Sequence, residues 1–328
     1  MAQSVERMPS ITNEQWLLVS DFNRKITEEF ILESTQLSNQ TLTQYESGLR
    51  IFFNWVRENL DNIPLTEIKG RDYLKYQNWL TRRGVSASGV KFKRAAVSSL
   101  NGYIITYYED KFPMFKNFIT KKIANPPKAF VHEKNPMNME ELELLIKVLE
   151  EKEEWQQIAY LRFTYISACR REESRQILKE VANYSPVIKN RDGREIIYYN
   201  THDCRCKGRG KVGKIRKLQF DQDAMNAIKK WLEVRGEDDC PYLFVHKTKA
   251  GVTSQVGEST FNGWCNEFGV IVGRRVHPHS LRESRATNIV VYEGKDIKGA
   301  QKLLGHEQSS TTEIYVIRNS DEDIEDVF

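Results

Sequence analysis

The chain has 328 residues, 40% of them hydrophobic and 29% charged, which is too long for one small domain and comfortable for two. No stretch approaches the roughly 20 apolar residues of a membrane span, and the first seven residues hold no apolar core for a signal peptide, so a cytoplasmic protein without membrane contact is expected. A net charge of +4 permits nucleic-acid binding without demanding it and excludes a histone-like polycation.

In chain order, Trp16, Val19, Phe22, Ile26 and Phe30 recur at helical spacing and predict one helix. A second helix follows Ser38, with Leu42, Tyr45, Leu49, Phe52, Phe53 and Val56 as its stripe, and Pro64 closes the loop after it. A third runs from about Asp72 to Arg83 and stops at Gly84. A fourth runs from about Ser86 to Tyr108, with Val90, Val97, Leu100, Ile104 and Ile105 on its apolar face. These four make a small helical domain, residues 1–122.

Residues 123–137 read as a linker, because Pro126, Pro127 and Pro136 prevent a continuous helix. Asn138 with Glu141 then forms a capping box that opens a second domain, residues 138–328. Its expected helices cover 139–152 and 154–179. Strands follow around 186–220, with a hairpin turn at Asp192-Gly193 and a second turn marked by Gly208, Gly210 and Gly213. Helices return near 222–234, 258–268, 280–292, 296–304 and 309–317, before an acidic tail at 321–328. The expected fold class is mainly α with a small antiparallel β region.

Five cysteines at scattered positions argue against a secreted disulfide framework. His202, Cys204 and Cys206 lie close in sequence, but a structural zinc wants four ligands and a matching second pair is missing. Alternation along a strand puts both thiols on one face, so they read as reduced structural thiols with no metal.

Four separated pieces carry candidate chemistry: Arg170 with Glu173; the basic hairpin with Arg205, Lys207, Arg209, Lys211, Lys214 and Arg216; His277-Pro-His279-Ser-Leu-Arg282; and Leu304-Gly-His306 followed nine residues later by Tyr315. Each residue alone has an ordinary reading. Arg170 and Glu173 make a helix-surface pair, Lys207 is a solvated charge, His279 a helix cap, His306 a histidine at a helix end, and Tyr315 a core aromatic. The ordered set points elsewhere, because it resembles the tyrosine recombinase family: an Arg-x-x-Glu helix, a hairpin Lys, His-x-x-Arg, Leu-Gly-His and a Tyr one short helix later. The helical first domain, with Thr41-Leu-Thr-Gln-Tyr45 and the aromatic run after it, resembles the family's core-binding domain.

The resemblance implies a site-specific recombinase that cuts and rejoins DNA through a 3′-phosphotyrosine. Arg170, Arg282 and His306 would hold the phosphate oxygens and offset transition-state charge. Tyr315 would be the nucleophile, His279 its general base, Lys207 the general acid and Glu173 a supporting residue. Lys211 or Lys214 stands as the alternative acid, because the hairpin turn is longer than the family's short form. Since the covalent link retains the phosphoester, no ATP, cofactor or metal is implied. The family departs here at Ser167-Ala168-Cys169, where Thr-Gly-Leu is usual, and at Glu283, where many members have His.

Arg82, Arg83, Lys91, Lys93 and Arg94, with Arg209, Lys211 and Lys214 of the hairpin, are the expected contacts to double-stranded DNA. A tetramer in the synapse is implied if the enzyme is active, and a monomer or dimer otherwise. The chain opens almost directly on the helical domain, without an arm-binding module, which favours a two-domain recombinase on short inverted sites. The main alternative is a catalytically silent DNA-binding regulator on the same fold. A nicking-closing enzyme of type IB character and a helical scaffold without nucleic acid are further readings; the His-x-x-Arg motif and two-domain layout speak against the first, and the ordered motifs against the second.

Overall fold

In the computed structural model, residues 8–126, 135–191, 193–206, 213–249, 251–305 and 312–313 are described. They divide into two compact units, the first within residues 8–126 and the second from residue 135 onward. Among the described residues no helix is long and apolar enough to cross a membrane.

The first unit is helical. Its expected first helix is two: α1 (Asn13–Leu17) and α2 (Asp21–Glu33). Hydrophobic spacing runs on through the break, so the pattern alone cannot reveal it. The break is held by Asn62, whose Oδ1 accepts from Ser20 N at 2.9 Å while its Nδ2 donates to Leu18 O at 2.9 Å. The backbone groups released where the helix stops thereby find partners. Then follow α3 (Asn39–Asn59), capped by Ser38 Oγ, α4 (Gly70–Arg82), and α5 (Ala87–Tyr107), capped by Ser86 Oγ. Phe52, Phe53, Tyr73, Tyr76, Val97 and Leu100 are fully buried between them. Ile105, expected in the core, is instead exposed, its neighbour Ile104 taking the buried side of the turn.

The stretch expected as a linker is anchored at both ends. Arg94 donates to Ile123 O at 2.6 Å and Thr120 O at 2.8 Å, Gln77 Nε2 donates to Ala124 O at 2.8 Å, and Ile123 packs on the helical core. On the other side Arg274 donates to Asn135 O at 2.9 Å, and Met137 N donates to Ser284 Oγ at 2.7 Å.

The second unit opens with α6 (Met139–Glu151), whose Asn138–Glu141 capping box forms as expected. Arg274 grips Glu141 with two nitrogens, at 2.8 and 2.7 Å. Next comes α7 (Trp155–Ser167), buried on nearly all sides, as a core helix must be when Ile158, Ala159, Tyr160, Leu161 and Phe163 succeed one another. The expected helix 154–179 ends here. A short α8 (Arg171–Arg175) follows, then a 3-10 turn at Lys179–Asn183.

Strands β1 (Val187–Arg191), β2 (Arg194–Cys206) and β3 (Lys214–Phe220) form an antiparallel sheet in sequence order. Arg191 pairs with Arg194, and Gly193, in the turn just before Arg194, has a positive φ of 74°. In the second ladder Cys204 pairs with Arg216 and Cys206 with Lys214. Next comes α9 (Gln222–Arg235), capped by Asp221, and it packs along α7. A small ribbon of β4 (Val245–Lys247) and β5 (Thr253–Gln255) was not foreseen, since three-residue strands carry too little periodicity to register.

Then come α10 (Glu258–Ile271), α11 (Pro278–Thr287), which passes into a π-turn at Asn288–Tyr292, and α12 (Ile297–Leu304). Of the helix expected at 309–317, only Thr312 and Glu313 are among the described residues, and both are helical. Tyr160 stacks on Phe261 at 4.5 Å between ring centres, near the middle of this unit's core.

Candidate active site

The site is built where α7 ends. Ala168 adopts left-handed backbone (φ 49°, ψ 32°) and stops the helix. An alanine in that conformation costs roughly 1–2 kcal/mol, so the turn is imposed by its surroundings. Ala168 is buried against Ala286 and Leu304, and the turn sends the chain into α8 with Arg170 as its N-cap. Two helices, α7 and α8, thus replace the single helix that the periodicity suggested.

Glu173, only 1% exposed, gathers three donors. Its Oε1 accepts from Arg170 Nη1 at 2.9 Å; its Oε2 accepts from Arg170 N at 3.0 Å and from Arg216 Nη2 at 3.2 Å. Burial alone would raise its pKa, but the Arg170 backbone bond and the guanidinium groups of Arg216 and Arg170 outweigh it and hold the carboxyl below its ordinary value. Arg170 is therefore oriented by an ionised, buried carboxylate, a stronger constraint than the surface pair expected of an Arg-x-x-Glu spacing. Gln176, the C-cap of α8, clamps this helix to β2: its side-chain amide donates to Arg205 O and accepts from Arg205 N, both at 2.9 Å.

Arg282 is fully buried on α11. Its Nη1 donates to Ala168 O and its Nη2 to Leu304 O, so one guanidinium joins the ends of α7 and α12. The helix cap of α11 is His277, not His279: His277 Nδ1 accepts from Ser280 N at 3.0 Å, and Ser280 Oγ accepts from His277 N at 3.0 Å. That leaves His279 for another role, one residue inside the helix. Burial pushes its pKa below the ordinary 6.5; Glu283 pulls it up, while Arg282, His277 and Arg170 push it down. The imidazole of His279 is thus kept neutral near pH 7, with Arg170 and Arg282 close enough to act on it.

Cys204 and Cys206 are both buried and Arg205 between them is exposed, the alternation expected of a strand. Cys206 Sγ accepts a hydrogen bond from Arg216 Nε at 3.2 Å. Among the described residues no cluster of three His, Cys, Asp or Glu side chains has a metal-binding arrangement.

Of the expected site residues, Arg170, Glu173, His279 and Arg282 are brought together. Lys214 is described, on β3 opposite Cys206. Lys207, Arg209, Lys211, His306 and Tyr315 lie outside the described residues. In the first unit Arg82 and Lys91 are exposed, Arg83 lies 4.8 Å over the Trp79 ring, and Lys93 is half-buried. Arg94 gives its guanidinium to backbone carbonyls of its own unit, so its place in the fold accounts for it without DNA. Sequence reading gave no separate role to Arg216, Gln176 or Arg274. Only Arg216 carried a signal, its two-residue offset from Lys214 on a strand whose facing positions are cysteines.

The fold and the family comparisons define a tyrosine-type site-specific recombinase. The profile of the Phage integrase family matches residues 135–322, that of the Phage integrase, N-terminal SAM-like domain matches residues 28–106, and the chain belongs to this family. The SPbeta prophage-derived recombinase-like protein YomM of Bacillus subtilis (strain 168) is 30% identical, over 98% of this chain and 95% of its own. Tyrosine recombinase XerC of Escherichia coli O157:H7 is 26% identical over 85% of this chain and 86% of its own. Among solved structures, XerH site-specific recombinase bound to palindromic difH substrate, in a post-cleavage complex, superposes with a TM-score of 0.65 at 18% identity, covering 98% of this chain and 97% of that one. A lambda integrase tetramer bound to a Holliday junction gives 0.61 at 17% identity, covering 95% and 80%. At these identities the structural likeness is one of fold.

Proposed function

We propose that this chain cuts and rejoins double-stranded DNA at specific sites, with Tyr315 as nucleophile. Tyr315 Oη attacks the scissile phosphorus and passes its proton to neutral His279. The bond to the 5′-oxygen breaks, and that oxygen takes a proton from Lys207, with Lys211 and Lys214 as alternative donors. The 3′-phosphate is left on the tyrosine. Attack by a second 5′-hydroxyl reverses the step and rejoins a new pair of ends, so no external energy source enters. Arg170, Arg282 and His306 face the non-bridging oxygens, where charge builds in the transition state. Arg82, Arg83, Lys91, Lys93, Arg209, Lys211 and Lys214 meet the DNA backbone. Four protomers act on two sites, as the tetrameric assembly of lambda integrase on a Holliday junction suggests.

One observation carries the reading: Glu173 fixes Arg170 two residues beyond the carbonyl that holds Arg282, with a neutral His279 beside both. Separate ordinary roles for these residues give no reason for them to meet.

The test works without a defined target sequence. Wild type and Tyr315→Phe are mixed with sheared genomic DNA from the source organism, denatured in detergent, and protein-linked DNA is recovered. Adduct from wild type alone is the expected result, and sequencing the trapped ends gives the site. Native binding of particular fragments without adduct would overturn the catalytic roles in favour of a DNA-binding regulator.

A further inference from the structure

In the sequence Arg216 is one of six cations in the basic hairpin, marked only by its two-residue offset from Lys214. In the fold each nitrogen of its guanidinium has a different partner. Nε donates to Cys206 Sγ at 3.2 Å, Nη1 to Leu303 O at 2.7 Å, and Nη2 to Glu173 Oε2 at 3.2 Å. The group also lies against Gly305. A Cβ added there would come within 3.1 Å of Nη1 and 3.2 Å of Cζ, and Gly305 has a φ of +65°. A side chain at 305 is therefore opposed twice, by backbone conformation and by the guanidinium.

These partners belong to three elements of the reaction site. Glu173 orients Arg170. Cys206 is the last residue of β2, and Lys207 follows it. Leu303 lies near the end of α12, just before the Leu304-Gly-His306 motif. A planar fork of fixed geometry can hold three such partners at set distances; an ammonium, a single point on a flexible stem, cannot. The side chain is 22% exposed, and its nitrogens are directed at protein atoms.

We propose that Arg216 is a positioning residue for strand cleavage, which acts through Glu173 on Arg170 and holds the end of α12 in register with them. The proposal rests on the catalytic reading above. It assigns Arg216 no contact with DNA and no proton transfer. Its effect is on where Arg170 stands when the scissile phosphate arrives, and misplacement by about 1 Å is enough to lower a rate about 100-fold.

The test is single-turnover adduct formation on sheared genomic DNA by wild type, Arg216→Lys, Glu173→Gln and the double variant, with DNA affinity measured alongside. A merely structural role lowers the amplitude, because fewer molecules are folded. A positioning role lowers the rate constant. Arg216→Lys is expected to react about 100-fold more slowly, with amplitude and DNA affinity within about twofold of wild type. The double variant is expected within about threefold of the slower single variant, since both changes act on one network. Should Arg216→Lys not fold, Cys206→Ala removes one partner and leaves the arginine; a slower rate constant at unchanged amplitude is then expected. A wild-type rate in either folded variant, a loss confined to amplitude, or multiplying effects of the Arg216 and Glu173 changes would overturn the proposal alone. A wild type without adduct would overturn the catalytic reading and this proposal with it.

Discussion

Replacing Glu173 by Gln keeps the shape of the side chain and removes its charge. In the native site the carboxylate is 1% exposed and accepts three hydrogen bonds, two of them from guanidinium groups. The amide offers one acceptor oxygen where the carboxylate offered two, and turns N–H groups toward N–H groups. Loss of one partner from a buried ion pair costs about 3–5 kcal/mol. Here Arg170 and Arg216 keep 26% and 22% of their side-chain surface, so water recovers part of that loss and about 2–3 kcal/mol is expected. For a unit of this size, 1 kcal/mol moves the melting temperature by about 2–4 °C, which gives about 5–10 °C. The assay is thermal unfolding followed by circular dichroism across a pH series. The sign follows from the lowered pKa of Glu173: its stabilisation is present above the ordinary value of 4.5 and is lost as pH falls through the lower folded value. The gap between wild type and Glu173→Gln should therefore be full at neutral pH and close in acid. A gap under about 2 °C at neutral pH, or one that stays constant down to about pH 3, would refute the reasoning.

Three further outcomes are expected. Because burial lowers the pKa of His279, the acid limb of adduct formation should lie below pH 6.5, and Glu283→Gln, which removes the carboxylate that pulls it upward, should move the limb further into acid; a pH–rate profile measures both. Ala168→Gly relieves roughly 1–2 kcal/mol of left-handed strain, but forfeits a buried methyl worth about 0.8 kcal/mol and adds about 0.4–1 kcal/mol of unfolded-state freedom. Its melting temperature should then stay within about 3 °C of wild type, whereas Ala168→Val, β-branched at the same φ, should fall well below it. In the helical unit, Lys91→Gln should lower the slope of log affinity against log salt by about 0.9, as loss of one phosphate contact requires. Arg94→Gln should leave that slope alone and lower the unit's melting temperature, since its guanidinium holds Ile123 O and Thr120 O.

The hydrophobic periodicity foretold nearly all the long helices because their stripes are read locally. Ser38, Ser86 and Asn138 marked three starts for the same reason: a cap is a short-range hydrogen bond. What escaped was decided at long range. The α1–α2 break depends on Asn62, more than forty residues away. The end of α7 depends on a left-handed alanine that no propensity would place there, held by a guanidinium 114 residues on. The site divides in the same way. Arg170, Glu173, His279 and Arg282 were legible because their spacings within each segment are those of a recognisable pattern. Arg216 was not, since its meaning lies in Glu173, Leu303 and Gly305, which only the fold brings to it.

The two arginines of the site are neutralised by different means. Arg170 shares the charge of the Glu173 carboxylate with Arg216. Arg282 is bonded to carbonyls at the C-terminal ends of α7 and α12, and each such end carries roughly half a negative charge from the aligned peptide dipoles. Two halves offset about one unit of positive charge. These two carbonyl bonds involve no titratable acceptor, so acid that would discharge a carboxylate leaves them in place.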